Sequence, residues 1–357
     1  MSLGERLMAG HKNQYGRRNR PRPKAESREK SGRWQHTYAG LDLGTHNCRL
    51  LVARPTRRAF RVIDAFSRTV RLGESVERDG ALCEAAMDRT VEALKICSEK
   101  IRRGSADRTR CVATEACRRA ENREEFEERV EREAGLRIET ITCEEEARLA
   151  LEGCVPLIDR KCPNGLMFDI GGGSTELIWL ENTGRHPHML DSMSIPHGVV
   201  SLSERYGEDA ICQEPYGEIV DEMEERLKTF CRRHRIGDAV LRGDVQMLGA
   251  SGTVTTLAGV YMDLPRYDRS IVDGATLDFD EVQQVSERLR AMACEERASH
   301  PCIGAERAKL VVAGCAVLEA IMRRWSVGSI RVADRGVREG IIFEMMRKAD
   351  AERLGSA

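Results

Sequence analysis

The residues of this chain best suited to phosphate chemistry lie in one short segment. There, an apolar run ends at Asp169 and a second apolar run follows Glu176. Between them lie three glycines and two hydroxyl residues, namely Gly171, Gly172, Gly173, Ser174 and Thr175. Consecutive glycines let the backbone approach a ligand closely, and their N–H groups can form a concave anion site to which nearby hydroxyls add donors. The segment predicts a strand, a phosphate-binding turn and a second strand, with Asp169 placed to hold a hard cation beside the anion.

The same pattern occurs earlier in the chain, and the two segments align without a gap. The aligned pairs are Asp42 with Asp169, Gly44 with Gly171, Asn47 with Ser174, and Arg49 with Glu176. A single Gly-rich hairpin is more often a structural turn than a ligand site. Its repetition, with an aspartate at the same place, predicts two related half-structures that face each other across a phosphate site.

Two helix starts could contribute to such a site. One follows a predicted strand that begins at Val245, and the residues of its turn are Gly249, Ala250, Ser251, Gly252 and Thr253. The first turn of a helix presents unpaired N–H groups, which bind anions. The other helix opens at Thr142, whose spacing to Glu145 fits a capping box, and a carboxylate there would stay ionised, as a general base requires. The residues alone leave open which glutamate would take that role among Glu144, Glu145 and Glu146.

Composition restricts the class of protein. The 357 residues are enough for two domains, and the formal net charge of −1 excludes a globally basic nucleic-acid binder. Thirteen cysteines stand without C-x-x-C pairs, which predicts neither a zinc site nor a disulfide framework and fits a reducing cytoplasm. Residues 1–36 are basic with few apolar side chains, so we expect a disordered tail, either a solvated segment or a tether for polyanions. We expect neither a secretory signal nor a membrane span.

Hydrophobic periodicity indicates an α/β protein, because predicted strands alternate with predicted helices. Strands are expected at 38–43, 48–54, 59–67, 109–114, 137–141 and 329–333, and helices at 81–103, 216–234, 279–292 and 305–325. A final helix is expected to follow the segment 336–340.

Taken together and in order, several segments resemble the exopolyphosphatase / guanosine pentaphosphate phosphohydrolase (Ppx/GppA) phosphatase family. They read LDLGT, VATEACR, EEARL, FDIGGGSTE, SGTVTT and GVREG, and they begin at Leu41, Val112, Glu145, Phe168, Ser251 and Gly336. That family belongs to the actin/Hsp70/sugar-kinase superfamily. The resemblance therefore implies two actin-like (ribonuclease H-like) α/β domains that face each other across a phosphate-binding cleft. The implied division is a tail over 1–36, a first domain over 37–143, a second over 144–339, and a closing helix at about 340–357 that returns to the first domain.

The resemblance also implies roles for individual residues. Glu146 would activate the attacking water, and Arg118 would grip the terminal phosphate. Mg²⁺ would be held or oriented by Asp42, Asp169 and Glu176. The implied phosphate cradle consists of Gly44, Thr45, Gly171, Gly172, Gly173, Ser174, Thr175, Ser251, Gly252 and Thr253, with Arg49 assisting. Such parts suit phosphoanhydride hydrolysis, which needs charge neutralisation, donors around the transferred group and an oriented water.

Two positions depart from the family pattern, and we expect both to tune activity. His46 stands where the family generally has asparagine, and Cys143 replaces a common glycine. Longer members carry a further C-terminal domain of the HD type, which this chain is expected to lack, so the sequence leaves its processivity on long polymers open.

The sequence thus predicts a cytoplasmic, Mg²⁺-dependent exopolyphosphatase, with a homodimer expected from family precedent and no membrane or specific nucleic-acid partner. Removal of the 5′-γ-phosphate from guanosine pentaphosphate by the same residues is the alternative. Two other classes are a phosphotransferase and a non-catalytic binder of an alarmone or polyphosphate. ATP-dependent phosphorylation of small alcohols or acids would reveal the former, and tight binding without phosphate release the latter.

Overall fold

The computed structural model describes residues 34, 36–57, 59–184, 186–207 and 210–355. The tail predicted over 1–36 lies outside these residues, apart from Trp34 and His36. The strands are β1 (Tyr38–Leu43), β2 (Asn47–Pro55), β3 (Phe60–Thr69), β4 (Arg108–Ala113), β5 (Ile138–Thr140), β6 (Asn164–Ile170), β7 (Thr175–Glu181), β8 (His188–Ile195), β9 (Val245–Gly249), β10 (Thr276–Asp278) and β11 (Ser329–Val332).

The helices of the described residues separate and cover these strands. They are α1 (Val76–Asp79), α2 (Glu84–Arg103), α3 (Glu115–Arg119), α4 (Arg123–Ala134), α5 (Cys143–Cys154), α6 (Val199–Tyr206), α7 (Glu214–His234), α8 (Ile236–Leu241), α9 (Gly252–Tyr261), α10 (Arg269–Val272), α11 (Phe279–Ala291), α12 (Cys294–Ser299), α13 (Gly304–Ala308), α14 (Val311–Arg324) and α15 (Val337–Gly355). In the part of the chain that the structure describes, no helix is both long enough and apolar enough to cross a bilayer.

The strands form two sheets that share one arrangement. The orders are β3-β2-β1-β4-β5 and β10-β11-β9-β6-β7-β8. In each sheet, three consecutive antiparallel strands (β1–β3 or β6–β8) are extended by two strands parallel to the first of them (β4 and β5, or β9 and β11). This is the order of ribonuclease H-like, actin-like domains. It confirms the predicted fold class and shows that the sequence repeat is a repeat of structure.

Two helices, α5 and α15, lie between the sheets and pack on each other. They bring together apolar residues of both sheets, and one buried cluster contains Val112 of β4, Ile178 of β7 and Ile341 of α15. The helices cross so closely that a Cβ added to Gly340 would lie 1.9 Å from the carbonyl oxygen of Leu149. Helix α15 also contacts β1 and β2. The proposed domain boundaries at 143/144 and 339/340 stay predictions.

The helix expected over 305–325 is interrupted, which positions part of the site. It is divided at residues 309 and 310 into α13 and α14. The buried Arg297 donates from Nε to the carbonyl oxygen of Ala308 (3.0 Å) and from Nη1 to those of Leu289 and Met292 (both 3.0 Å). Because the Ala308 carbonyl is bound by this guanidinium, tertiary contacts compete with continuation of the helix. Hydrophobic periodicity within a segment cannot predict a contact of this kind.

Candidate active site

The two repeated segments form hairpins in the same register. In β1–β2, Asp42 lies opposite Arg49, and in β6–β7, Asp169 lies opposite Glu176. Residues directly opposite each other in an antiparallel pair project to the same face. The first hairpin therefore presents an aspartate beside an arginine, and the second presents an aspartate beside a glutamate.

The turns of the two hairpins are closed by equivalent backbone hydrogen bonds. The N–H of Gly44 donates to the carbonyl of Asn47 (3.0 Å), and the N–H of Gly171 donates to the carbonyl of Ser174 (2.9 Å). The gapless alignment of the two segments thus corresponds to one turn geometry used twice.

The tips of the hairpins meet across the space between the sheets. A Cβ added to Gly173 would lie 2.9 Å from Oγ1 of Thr45, and one added to Gly172 would lie 3.1 Å from Cβ of His46. Side chains at these two positions would force the turns apart, so the approach depends on glycine. The half-structures face each other as the repeat predicts, with their phosphate-type turns in contact.

A cleft of about 470 Å³ opens beside these tips. Other parts of its wall come from the start of α3, from α13 and from the start of α15. Among the lining residues are Asp42, Gly44, Thr45, Arg49, Glu146, Asp169, Gly171, Gly172, Gly173, Ser174, Glu176, Ser251, Gly252 and Thr253. Most of the predicted site residues are thus brought to one cleft from both sheets and from α5 and α9.

The first turn of α5 separates its three glutamates. Thr142 caps the helix by accepting the N–H of Glu145 at Oγ1 (3.1 Å). The Glu145 side chain turns to Arg148 (Oε2–Nε 2.7 Å), whereas Glu144 is exposed. Only Glu146 of the three lines the cleft. Glu146 is thus the one of the three placed at the cleft, and its role as the base that activates water stays a prediction.

Arg118 lies beside Glu146 and is bound by carboxylates. Its Nη1 donates to Oε2 of Glu146 (2.7 Å) and to the carbonyl of Ile141 (3.1 Å), and its Nη2 donates to Oε2 of Glu115 (2.9 Å). Its side chain is 14% exposed. In this arrangement Arg118 orients Glu146, and it is not among the residues that line the cleft.

Four acids of the cleft are buried together, which changes their protonation. Burial, followed by the charge of Glu176, raises the pKa of Glu146 to about 8, so the helix start does not keep this carboxylate ionised as the sequence predicted. Burial also raises the pKa of Asp169 to about 7, that of Glu176 to about 7, and that of Asp42. Arg49 opposes the shift in pKa at both aspartates. Burial, with the neighbouring carboxylates, thus disfavours ionisation of these acids in the free cleft, and a bound cation would favour it, as expected of a site that binds a cation.

The donor set fits Mg²⁺ in its chemistry but is not a preformed cage. Within the described residues, no group of three or more His, Cys, Asp or Glu side chains converges to hold a metal ion. Mg²⁺ commonly keeps several waters and takes only one or two carboxylates together with substrate phosphates. Oxygen donors at Asp42, Asp169 and Glu176 are compatible with that mode, and their assignment as magnesium ligands stays a prediction.

Hydroxyl groups of the second hairpin have fixed partners. Ser174 donates to Oε1 of Glu176 (2.5 Å), and Ser194 donates to the same oxygen (3.1 Å). Thr175 is fully buried and donates to the carbonyl of His197 (2.7 Å), so its hydroxyl does not reach the cleft. The Ser174 hydroxyl therefore orients the Glu176 carboxylate. The Thr175 hydroxyl, which was expected to bind phosphate, lies outside the cleft.

The turn before α9 offers backbone groups more than hydroxyls. Oγ of Ser251 accepts the N–H of Val254 (3.1 Å) as the helix cap. The Thr253 hydroxyl lies against α14, since a Cβ added to Gly314 would be 2.1 Å from Thr253 Oγ1. What this turn directs to the cleft is the start of a helix, where first-turn N–H groups lack intrahelical partners.

Sequence reasoning missed Arg307, which α13 brings into the wall of the cleft. Its Nη1 donates to Oγ1 of Thr256 (3.0 Å), and its Cζ lies 6.0 Å from the centre of the Tyr267 ring. Burial and the charge of Arg49 lower the pKa of Arg307, which shows that two cations face the same space. An arginine in a charged helical segment is usually exposed to solvent, so nothing in the local sequence indicated that Arg307 would line the cleft.

An exposed ion pair joins the two halves of the molecule beside the cleft. Arg71, in the loop after β3, donates from Nη2 to Oε2 of Glu306 on α13 (2.6 Å). The side chains are 47% and 52% exposed, so the pair contributes little to stability. We call this pair the clasp. It joins the loop that supports the first hairpin to the helix that carries Arg307.

Comparison with known proteins supplies the family. The family model described as the Ppx/GppA phosphatase family matches residues 51–349. The chain belongs to this family. The region matched includes the second hairpin, the first turn of α5 and the turn before α9. These parts of the cleft wall therefore lie within the residues that the family model matches.

Individual Ppx/GppA relatives agree with this assignment. The chain is 29% identical over 310 residues to a guanosine-5′-triphosphate,3′-diphosphate pyrophosphatase of Aeromonas salmonicida (strain A449), covering 87% of this chain and 59% of that relative. It is similar to the crystal structure of an exopolyphosphatase-like protein (30% identity, TM-score 0.80, 88% and 98% of the two chains). It is also similar to the structure of the Ppx/GppA family member of Aquifex aeolicus (27% identity, TM-score 0.71, 88% and 98%).

The last family segment, 336–340, holds a buried carboxylate to which sequence reasoning assigned no role. Glu339 is 1% exposed and accepts hydrogen bonds from Arg269 Nη2 (2.8 Å), Arg338 Nε (3.0 Å) and the N–H of Gly336 (3.0 Å). Arg338 and Arg269 lower its pKa, so it stays ionised although buried. Glu339 thereby holds Arg338 at the cleft wall, close enough to Asp42 to oppose the rise of that pKa.

Proposed function

We propose that this member of the Ppx/GppA family is a Mg²⁺-dependent exopolyphosphatase that removes the terminal phosphate of inorganic polyphosphate by hydrolysis. The observation that carries the proposal is the position of Glu146. Its carboxylate lies in a cleft with two Gly-rich turns and is held by Arg118 (2.7 Å). A base, anion-binding backbone and cationic side chains in one cleft are what hydrolysis of a phosphoanhydride requires.

The reaction follows from these groups. A water lying between Glu146 and the terminal phosphorus attacks through its oxygen, and Glu146 accepts the proton. The bond from phosphorus to the bridging oxygen breaks, and the bridging oxygen leaves with the shortened chain. A base with a pKa near the working pH is well matched to this transfer. Arg118 keeps the carboxylate aimed, because its guanidinium is fixed by Glu115 and by the carbonyl of Ile141.

The remaining groups would bind and neutralise the substrate. Backbone N–H groups of the two hairpin turns and the α9 start would surround the transferred phosphate, and Arg49 and Arg307 would meet its oxygens. Mg²⁺ held by Asp169, Glu176 and Asp42 would supply charge neutralisation at the phosphate oxygens. The wall of glycines, hydroxyls and arginines supports a substrate that is a chain of anions.

A second candidate is hydrolysis of the 5′-γ-phosphate of guanosine pentaphosphate. It is favoured by an apolar part of the wall, made by Ile303, Leu310 and Val311 at α13 and the start of α14, against which a nucleoside could lie. The Aeromonas relative bears the name of such an enzyme, but the chain spans only 59% of its length. The reacting groups would be the same, and the two candidates differ in what lies beyond the terminal phosphate.

The deciding experiment is phosphate release by the purified protein with Mg²⁺. Long-chain polyphosphate and guanosine pentaphosphate are compared at equal concentrations of substrate ends, with EDTA as the metal-removal control. Preferential release from polyphosphate, abolished by EDTA, is expected. Preferential release from the nucleotide would replace the first candidate by the second. Binding of either compound without release of phosphate would contradict both and favour a non-catalytic binder.

A further inference from the structure

His46 is an unusual residue for its place in the fold. It lies at the tip of the first hairpin, lines the cleft, and touches the second hairpin at Gly172. Its Nδ1 is shielded from solvent and has no hydrogen-bond partner within the described residues. Buried polar atoms are normally paired, and an unpaired one on a residue that lines a binding cleft indicates that a bound group completes the site.

The charged groups around His46 come from three elements. Arg71 lies in the loop after β3, Arg49 lies on β2, and Glu306 and Arg307 lie on α13. Three cations thus face the ring with one carboxylate, and that carboxylate is already paired with Arg71 in the clasp. Burial and then the charge of Arg71 lower the pKa of His46 to about 4. The free ring is therefore neutral at physiological pH.

We propose that His46 is a proton-linked substrate-binding residue, which takes up a proton when a phosphate chain enters the cleft and donates a hydrogen bond to one of its phosphates. This inference rests on the proposed function. A phosphate chain carries several negative charges, and it would bind against the same arginines that keep the ring neutral. Once those cations are neutralised, the local field favours imidazolium. The asparagine usual at this position in the family cannot change its charge.

The expected sign of the pH effect follows from linkage. Because the complex binds one more proton than the free protein, substrate affinity increases as the pH falls from the pKa of His46 in the complex toward about 4. The steepest dependence that one proton allows is about tenfold per pH unit. Above the pKa of the complex the effect disappears. A histidine at this position thus makes the chain bind its substrate better under mildly acidic conditions.

The test is the pH dependence of KM for tripolyphosphate, measured from pH 5.5 to 8 with saturating Mg²⁺. The wild type is compared with His46→Asn, which restores the residue usual in the family, and with His188→Asn on the exposed face of β8 as a matched control. We expect the ratio of KM in His46→Asn to KM in the wild type to be near one at pH 8 and to rise roughly three- to tenfold by pH 5.5. His188→Asn should follow the wild type throughout.

Calorimetry provides the independent readout. Tripolyphosphate is titrated at pH 6.5 into the Glu146→Gln protein with and without His46→Asn, in buffers of different ionisation enthalpy, at saturating Mg²⁺. The protein that retains His46 should take up more protons per bound substrate. Equal proton uptake, or a KM ratio that is constant over the pH range, would overturn the role of His46 while leaving the hydrolase proposal intact. Absence of both turnover and binding in the wild type would overturn the proposed function, and this inference with it.

Discussion

The two hairpins share their strand register and turn hydrogen bond but differ in electrostatics. Both place an aspartate on the inner strand, and both close the turn with the same backbone hydrogen bond. Opposite the aspartate, however, the first hairpin has Arg49 and the second has Glu176. One register position therefore decides whether a hairpin is close to neutral or doubly acidic. Duplication thus supplies a symmetric frame, on which a single difference in residue type gives one hairpin a cation for binding anions and the other two carboxylates for binding a cation.

The glycines show a second difference between the hairpins. A Cβ on Gly44 would lie 3.7 Å from its nearest neighbour, an ordinary contact, whereas one on Gly173 would lie 2.9 Å from Thr45. The second hairpin is thus the one whose backbone must approach the other closely.

The largest effect is expected for Glu146, the base that lies beside the acidic hairpin. Glu146→Gln should lower kcat roughly 10²–10⁴-fold, because positioned proton transfer contributes about that much, while substrate affinity stays within a few-fold. Phosphate release under saturating substrate, together with calorimetric binding, measures both quantities. Glu144→Gln, in the same helical turn but exposed, serves as the matched control. Unchanged turnover in Glu146→Gln would remove this residue from the mechanism.

The next effect is expected from removing the cation of the first hairpin. Arg49→Gln should raise KM roughly 10- to 100-fold, since hydrogen bonds to charged groups are worth about 1.5–3 kcal/mol. Arg49→Glu, which gives the first hairpin the charge pattern of the second, should be worse. Steady-state kinetics over a range of polyphosphate concentrations measures the change. Arg68→Gln, on exposed β3, is the control, and an equal rise in KM there would mean that only the overall charge matters.

The two acids of the second hairpin should make the free energy of unfolding depend on pH. The pKa of Asp169 is about 7 in the folded protein against about 3.9 in the unfolded chain, so its contribution to stability is present at low pH and is lost as the pH rises through 7. Asp169→Asn should therefore raise the free energy of unfolding at pH 8 in EDTA by roughly 2–4 kcal/mol, and by much less at pH 4.5.

Thermal or urea unfolding at the two pH values measures this effect. Asp64→Asn is the control of opposite sign, because the hydrogen bond to Lys100 lowers the pKa of Asp64 and its contribution is lost only as the pH falls. An unchanged free energy of unfolding at pH 8 in Asp169→Asn would show that protein groups already neutralise Asp169 and Glu176.

The smallest effect is expected from the glycine difference. Gly173→Ala should separate the hairpin tips and reduce kcat/KM several-fold, because the added methyl group meets the Thr45 side chain. Gly44→Ala should change the melting temperature by less than Gly173→Ala does. Gly217→Ala on α7, where a Cβ meets nothing within 4 Å, should be neutral or stabilising. Equal melting temperatures for the Gly44 and Gly173 variants would contradict the asymmetry between the hairpins.

Much of the frame is predictable because it depends on local pattern. The alternation of apolar residues placed β1, β2, β4 and β11 close to their observed positions, and Thr142 was recognisable as the cap of α5. The helix over 305–325 was not predicted correctly, since its interruption depends on Arg297 binding the Ala308 carbonyl. A contact between residues that are distant in sequence leaves no periodic trace.

By itself, the sequence determined the internal duplication, the two turn geometries and the set of acids and glycines that the turns carry, because hairpin register and turn chemistry are local properties. Only the tertiary structure decided which side chains share the cleft. It directed Glu146 to the cleft and Glu145 to Arg148, bound the Thr175 hydroxyl to the carbonyl of His197, brought Arg307 into the cleft wall and placed His46 among arginines. These outcomes depend on how two sheets pack through α5 and α15, and burial and charge at a cleft are sums over residues that no single segment contains.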